Sequence, residues 1–243
     1  FDTDTHYLQL NKDKRYLALM NFGDFYDEQH RVIPSKILIL DLKSKKEWWV
    51  DNTGWSPSGH VDWDPCDPDT CYLSCHNGVI GPNASTLFFL RKKVYHWNIY
   101  GPASVHKFKM TKQGPKRVAI FTHPEMERLT IHKVFMHRGK KLLACTGFPN
   151  NLFFADAEKM ELIRHVKLFA PCEACGGSSP KPTVMGSMYP SPDGEKIYAS
   201  TTKNGQGALQ VVDVATGRVD HIHPFGKVYD PFNNMTAVCD TNW

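Results

Sequence analysis

His132-Lys-Val-Phe-Met-His-Arg-Gly-Lys-Lys-Leu-Leu-Ala144 decides the fold, because an earlier stretch repeats its frame: His6-Tyr-Leu-Gln-Leu-Asn-Lys-Asp-Lys-Arg-Tyr-Leu-Ala18. The two runs have equal length. In each, a short apolar run gives way to a charged turn and then resumes, which is the pattern of a β-hairpin. A third copy opens at His60, is two residues longer, and passes through Val61, Trp63 and Pro65 to Cys71-Tyr-Leu-Ser74. A fourth opens at Ser187 and runs through Ser191-Pro-Asp-Gly194 to Ile197-Tyr-Ala199. The matched positions 6, 60, 132 and 187 are separated by 54, 72 and 55 residues.

Each hairpin is followed by two more strand-like runs. The third strands are Lys36-Ile-Leu-Ile-Leu-Asp-Leu-Lys-Ser44, Asn151-Leu-Phe-Phe-Ala-Asp-Ala-Glu-Lys159 and Leu209-Gln-Val-Val-Asp-Val-Ala-Thr-Gly217. Asp41, Asp156 and Asp213 thereby fall at one turn position, where a carboxylate accepts backbone N–H groups. Fourth strands follow at Glu47 to Val50, Leu162 to Val166 and Arg218 to His223. In the second unit Val105 to Met110 and Arg117 to Thr122 complete the set. Ala155 to Arg164 is helix-like in phase and fits a hairpin equally well. Four antiparallel strands recurring at this period predict the blades of a β-propeller.

The expected fold class is therefore all-β, a single propeller domain over 1–243. Its four recognisable four-stranded blades are expected at about 5–51, 59–124, 130–168 and 185–226. Asp240-Thr-Asn-Trp243 echoes Asp4-Thr-His-Tyr7, so 234–243 reads as the start of a further blade or a closing strand. A ring leaves sheet edges exposed unless its first and last blades pair. Two arrangements stay open: a compact four- or five-bladed ring, or part of a larger ring completed by an additional chain or segment. The last unit, Tyr189-Pro-Ser-Pro-Asp-Gly-Glu-Lys-Ile-Tyr-Ala-Ser200 through Gln210-Val-Val-Asp-Val-Ala-Thr-Gly-Arg218, resembles the blade repeat of YVTN-type and lactonase-like propellers. That resemblance speaks to architecture and not to activity.

The composition sets broad limits. Of 243 residues, 41% are apolar and the formal charge is +4, so a sizeable core is expected and a nucleic-acid partner is not. No window reaches the apolar length of a membrane span. The chain opens at Phe1 rather than Met, which reads as a processed chain, a trimmed one or a fragment. A secreted or periplasmic location is the expectation. Cys172-Glu-Ala-Cys175 lacks a second pair for zinc and a following helix for redox chemistry, so it reads as a loop disulfide or as reduced thiols.

Two segments break the period: Asn21 to Ser35, and His76 to Pro102 with Trp97, Tyr95, Tyr100 and His96. Long aromatic insertions of this kind are expected to wall a pocket. In a propeller the first strand of each blade lines the central channel. His6, His60 and His132 would then approach one another from three blades. Three imidazoles with an open position suit a divalent transition metal such as Mn, Fe, Zn or Cu. Ser187 or Asn242 would extend the polar ring. Asp62 and Asp64 share a strand face with His60, where they orient an imidazole or satisfy turn backbone. His30, His96 and His106 sit in or near the insertions, and His221 and His223 alternate on one strand face. No Ser-His-Asp order, phosphate-binding glycine loop or HExxH motif occurs.

The run Gly59-His-Val-Asp-Trp-Asp-Pro-Cys-Asp-Pro-Asp-Thr-Cys-Tyr-Leu-Ser-Cys-His-Asn-Gly78 resembles a segment of the oligogalacturonate lyases, with Asn77 where that pattern prefers an acidic residue. The resemblance implies β-elimination from a uronate on a histidine-bound divalent metal, manganese in that family. The metal would polarise the carboxylate and acidify the C5 proton. His76 is a candidate base, and His123 is a second candidate that would reach the same channel mouth. The leading expectation is thus a metal-dependent, lyase-like enzyme acting on a small-molecule or oligosaccharide substrate. The alternatives are a non-catalytic binding or interaction propeller, and a copper redox protein.

Overall fold

The computed structural model describes residues 5–21, 25–26, 32–33, 37–50, 58–75, 103–126, 128–148, 151–168, 184–203 and 206–227. All regular structure among them is β. Strands β1 (Thr5–Leu10), β2 (Tyr16–Asn21), β3 (Phe25–Tyr26), β4 (Val32–Ile33), β5 (Ile37–Asp41) and β6 (Lys46–Val50) come first. They form a four-stranded sheet in the order β1-β2-β5-β6, with β3 and β4 as a separate ribbon inside the predicted first insertion. The second sheet holds β7 (Ser58–Trp63), β8 (Thr70–Cys75), β9 (Ser104–Thr111) and β10 (Gly114–Thr122). The third holds β11 (Arg128–His137), β12 (Lys140–Phe148), β13 (Asn151–Asp156) and β14 (Glu161–Lys167), so the helix-like stretch resolves as a hairpin. The fourth holds β15 (Val184–Pro190), β16 (Lys196–Lys203), β17 (Gln206–Asp213) and β18 (Val219–Lys227). Each sheet is an antiparallel meander whose strands pair in chain order, the construction of a propeller blade. The second insertion, 76–102, lies outside the described residues, as do Cys172, Cys175 and 234–243.

Local chemistry fixes the turns. Asp41 Oδ1 accepts the N–H groups of Lys43 (2.9 Å) and Ser44 (3.2 Å). Asp156 does the same for Glu158 (2.8 Å) and Lys159 (2.9 Å), and Asp213 for Thr216 (2.8 Å). The equivalence read from the sequence is therefore a structural one. The first hairpins follow a parallel rule: Asn11 Oδ1 accepts from Arg15 and Tyr16, both at 2.8 Å, and Ser191 Oγ accepts from Lys196 at 2.9 Å.

The chain divides into two compact units, one up to Leu129 and one from Thr130 onward among the described residues. In the first, blade 1 stacks on blade 2. Tyr16, Ala18, Ile37, Ile39 and Val50 meet Val61, Trp63, Cys71, Leu73, Phe108 and Met110, all buried. The indole of Trp63 donates to the Gln9 carbonyl at 3.0 Å and stacks on Tyr16 with centroids 5.8 Å apart. In the second unit, blade 3 stacks on blade 4. Leu142, Ala144, Leu152 and Phe154 meet Met188, Ile197, Ala199 and Val212. A ring nitrogen of His137 hydrogen-bonds the Gly194 carbonyl at 2.9 Å, and Arg138 forms a two-pronged pair with Glu195 (2.9 and 2.8 Å). Both units thus use one rule, with the first hairpin of a blade reaching the first hairpin of the next.

Two kinds of bulge recur. On the first strand the pairing slips by one residue between Thr5 and Tyr7, between Ser58 and Val61, and between Met185 and Met188. On the outermost strand a slip leaves an extra residue at Val118, Ile163 and Asp220 in blades 2, 3 and 4. Blade 1 has no such slip, and β5 and β6 pair without interruption.

Candidate functional site

The first-strand bulge is where two predicted metal ligands sit. His6 is the extra residue of the β1 bulge, and His60 lies in the β7 bulge. A bulge frees a strand residue from the ladder and re-aims it, which is why such positions recur near functional sites. Ser74 supplies the missing ladder contacts at His60. Its Oγ accepts the His60 N–H at 2.6 Å and donates to the His60 carbonyl at 3.3 Å. Thr146 treats Ile131, the neighbour of His132, in the same way at 3.2 Å for both contacts. Counted from the turn, the positions are not in strict phase: His60 stands four residues before Asp64, whereas His6 stands five before Asn11.

His132 is buried on β11, in the second unit, whereas His6 and His60 belong to the first. His123 occupies the turn after β10, where its Nδ1 accepts the Glu125 N–H at 3.2 Å. That contact puts the neutral ring's proton on Nε2. His76 lies outside the described residues. Among the described residues, no group of three or more His, Cys, Asp or Glu side chains is placed to hold a metal ion. Asp62 accepts the Gln9 amide at 2.9 Å. Asp64 accepts the N–H groups of Cys66 and Asp67, both at 2.9 Å, and the Tyr72 hydroxyl at 3.3 Å. Asp64 thereby satisfies turn backbone, and Asp62 ties β7 to Gln9 of blade 1.

His106, expected near a pocket, is instead a core residue of β9. It is fully buried and shares a 2.9 Å hydrogen bond with the Ser104 hydroxyl. Burial, with Arg117 nearby, pulls its pKa down to about 4. Burial pushes the thiols of Cys71 and Cys75 up to about 12 and that of Cys145 well above its ordinary value, which makes them inert core groups.

The feature that sequence reading missed is an open apolar face on blade 1. Strand pairing aligns Leu8 with Leu19, Leu19 with Leu38, and Leu38 with Trp49. It likewise aligns Leu10 with Leu17 and Leu17 with Leu40. Seven large apolar side chains thus share the face opposite the one packed on blade 2. Leu8 is 61% exposed, Leu10 47% and Trp49 45%. The corresponding residues of blade 2 are Val61, Leu73, Cys71 and Phe108, and those of blade 4 are Met188, Ala199, Ile197 and Val212. All are 5% exposed or less, because the preceding blade covers them. The signal was present in the sequence as the alternating leucines Leu8 and Leu10, Leu17 and Leu19, and Leu38 and Leu40.

No protein-family model matches the sequence, and a search of curated proteins finds no match. Solved structures do match by fold. The Cps50 (Swd1) β-propeller domain of Myceliophteria thermophila superposes with a TM-score of 0.58 at 10% identity, covering 95% of this chain and 57% of that one. The Dos1 propeller gives 0.59 at 10% identity over 92% and 48%, and a chain of the Mitotic Checkpoint Complex gives 0.54 at 10% over 90% and 50%. The chain spans about half of the length of these structures. With four antiparallel four-stranded sheets and these likenesses, the chain is an all-β protein of β-propeller fold.

Proposed function

We propose that the chain is a propeller interaction module that works by holding protein partners rather than by catalysis. The observation that carries this reading is the exposed leucine face of blade 1, with Leu8, Leu10 and Trp49 each more than two-fifths exposed. A contiguous apolar sheet face in water is costly, and surfaces of this kind mark interaction sites. Supporting it, one likeness is to a chain from a named multi-protein assembly, the Mitotic Checkpoint Complex. The YVTN-type repeat of the last blade remains part of this proposal as the finer assignment of blade type.

The test is crosslinking from the face itself. Leu10→Cys carrying a photo-crosslinker should capture protein in native extract, whereas the same group at exposed Lys116 on β10 should not. Equal capture from both positions, or none from Leu10, would overturn the reading.

A second reading, a metal-dependent lyase-like enzyme, draws on the placement of His6 and His60 at first-strand bulges. It predicts a stoichiometric transition metal in protein purified without an affinity tag, lost in a His60→Ala variant. Metal content below about a tenth of an equivalent would rule out a resident high-affinity metal.

A further inference from the structure

Blade 1 carries lysine where its turn geometry favours glycine, and it does so twice. Its first hairpin, Asn11 to Tyr16, is built like Ser191 to Lys196 of blade 4. The Lys14 N–H donates to the Asn11 carbonyl at 3.0 Å, as the Gly194 N–H does to the Ser191 carbonyl at 2.8 Å. Its turn between β5 and β6 is built like Asp213 to Arg218. The Lys45 N–H donates to the Asp41 carbonyl at 2.8 Å, as the Gly217 N–H does to the Asp213 carbonyl at 2.7 Å. All four residues are left-handed, with φ of +59° at Lys14, +60° at Lys45, +70° at Gly194 and +75° at Gly217. That conformation is unfavourable for a residue with a Cβ and open to glycine. Neither lysine forms an ion pair among the described residues that would offset it.

The two turns lie side by side, tied by the Leu42 N–H donating to the Arg15 carbonyl at 2.8 Å. Together they expose Lys12, Lys14, Arg15, Lys43, Lys45 and Lys46. An open cleft of about 540 Å³ is lined by Asp13, Lys14, Arg15, Leu42 and Lys43. Arg15 is held by Asp41 at 3.0 Å, and Lys12 donates to the Pro65 carbonyl at 3.1 Å. Lys14, Lys43, Lys45 and Lys46 form no ion pair among the described residues. The blade repeat does not require these cations. The same turns of blade 4 carry Asp193, Glu195 and Asp213, and the first turn of blade 2 carries Asp64, Asp67 and Asp69. Beside the basic turns lies the last row of the leucine face, where Leu10 pairs with Leu17 and Leu17 with Leu40.

We infer that the basic turns of blade 1 hold an acidic segment of a protein partner, with its apolar residues on the leucine face and its carboxylates on Lys14, Lys43 and Lys45. The inference rests on the interaction reading above and names the partner's chemistry. Lysine ammonium groups are point charges on flexible stems, which suits a run of Asp or Glu side chains without fixed geometry. A positive rim speeds encounter with a negative partner and turns away basic ones. The apolar row beside the rim supplies the desolvated contact that a bare charge patch lacks. Asp13 in the same cleft would repel a uniformly anionic lipid surface, whereas a peptide can set an apolar residue against it.

Fluorescence anisotropy of a labelled peptide of alternating glutamate and leucine, titrated with the purified 243-residue chain, tests this. Binding is expected, and it should weaken as salt rises. Lys14→Gly combined with Lys45→Gly should weaken it about fivefold or more while raising Tm, so that the loss cannot be ascribed to unfolding. Lys14→Arg combined with Lys45→Arg keeps the charge and should keep the binding. Lys112→Gln combined with Lys116→Gln removes the same charge from exposed positions of blade 2 and should change affinity by less than about twofold.

No binding, an affinity indifferent to the glycine pair, an arginine pair that behaves like the glycine pair, or equal losses from the blade 2 pair overturns the inference. So does equal binding of a peptide of alternating lysine and leucine. Lysine-dependent binding of phosphatidylserine vesicles in place of the peptide also overturns it, because the surface then meets lipid. If the peptide fails while the Leu10 crosslinker captures protein, the acidic partner is wrong and the interaction reading stands. If the crosslinker also captures nothing, both fall.

Discussion

Gly194 shows how tightly one residue can be held. A Cβ there would lie 1.9 Å from the Met136 carbonyl oxygen, and the backbone φ is +70°. Gly139 has a similar φ of +76° but nothing within 4 Å of its would-be Cβ. Gly139→Ala should therefore cost about 1 kcal/mol, the left-handed penalty alone. Gly194→Ala must also push one hairpin off its neighbour and should cost roughly 3 kcal/mol or more in urea melts. Equal costs would mean that blades 3 and 4 do not meet at this hairpin. Gly194 was legible as a turn glycine, but its contact with Met136 was not, because it depends on a residue 58 positions away across a blade boundary.

His106 and two aspartates set the acid limb of stability. With its folded pKa near 4, His106 stays neutral in the native state while the unfolded chain takes up the proton at its ordinary pKa of about 6.5. Stability should fall as pH drops from 6.5 to 4, by on the order of 3 kcal/mol from this residue, and His106→Asn should flatten that limb. The Arg15 guanidinium holds Asp41 well below the usual carboxylate range, and Thr216 with Lys196 does so for Asp213. Their contribution is fully present above the unfolded pKa of about 3.9 and is lost as pH falls further. The expected profile therefore has two descending segments, which denaturant titrations at stepped pH would resolve.

Among the elements, the third hairpins tell most. Lys45 adopts φ +60° at the turn position that Gly217 occupies in blade 4, and its side chain is exposed. Lys45→Gly should raise stability by roughly 0.5–1 kcal/mol, read as a higher Tm. Gly217 has no such freedom, because Arg164 Cδ lies 2.5 Å from its would-be Cβ. The strands and Asp-anchored turns were readable because a period-2 pattern and a side chain that caps its own turn are local facts. The bulges were not. An extra residue at His6, or the pair of residues at 59 and 60, becomes visible only when the partner strand is counted against it. The histidine phase shared by the first and third copies gave no warning that His60 stands one step closer to its turn than His6.

At the scale of the molecule, burial divides the cysteines. Among the four cysteines within the described residues, Cys66 is exposed, while Cys71, Cys75 and Cys145 are buried and their thiols are pushed up. Peptide-resolved alkylation of the native protein near neutral pH should modify Cys66 and spare the other three until global unfolding. The propeller fold was legible from recurrence alone. Which blade faces are covered was not, because every blade writes its faces in the same apolar alphabet, and only accessibility separates a satisfied face from an open one.

The outer edges of the blades are not equally protected. In blades 2, 3 and 4 the extra residue at Val118, Ile163 or Asp220 spoils the outermost strand as a template for a stranger's backbone. β6 of blade 1 lacks that safeguard and carries half-exposed Trp49. Fibrillar growth, if the protein is stored concentrated, should begin by strand addition at Lys46–Val50, and a Trp49→Lys change should delay its onset.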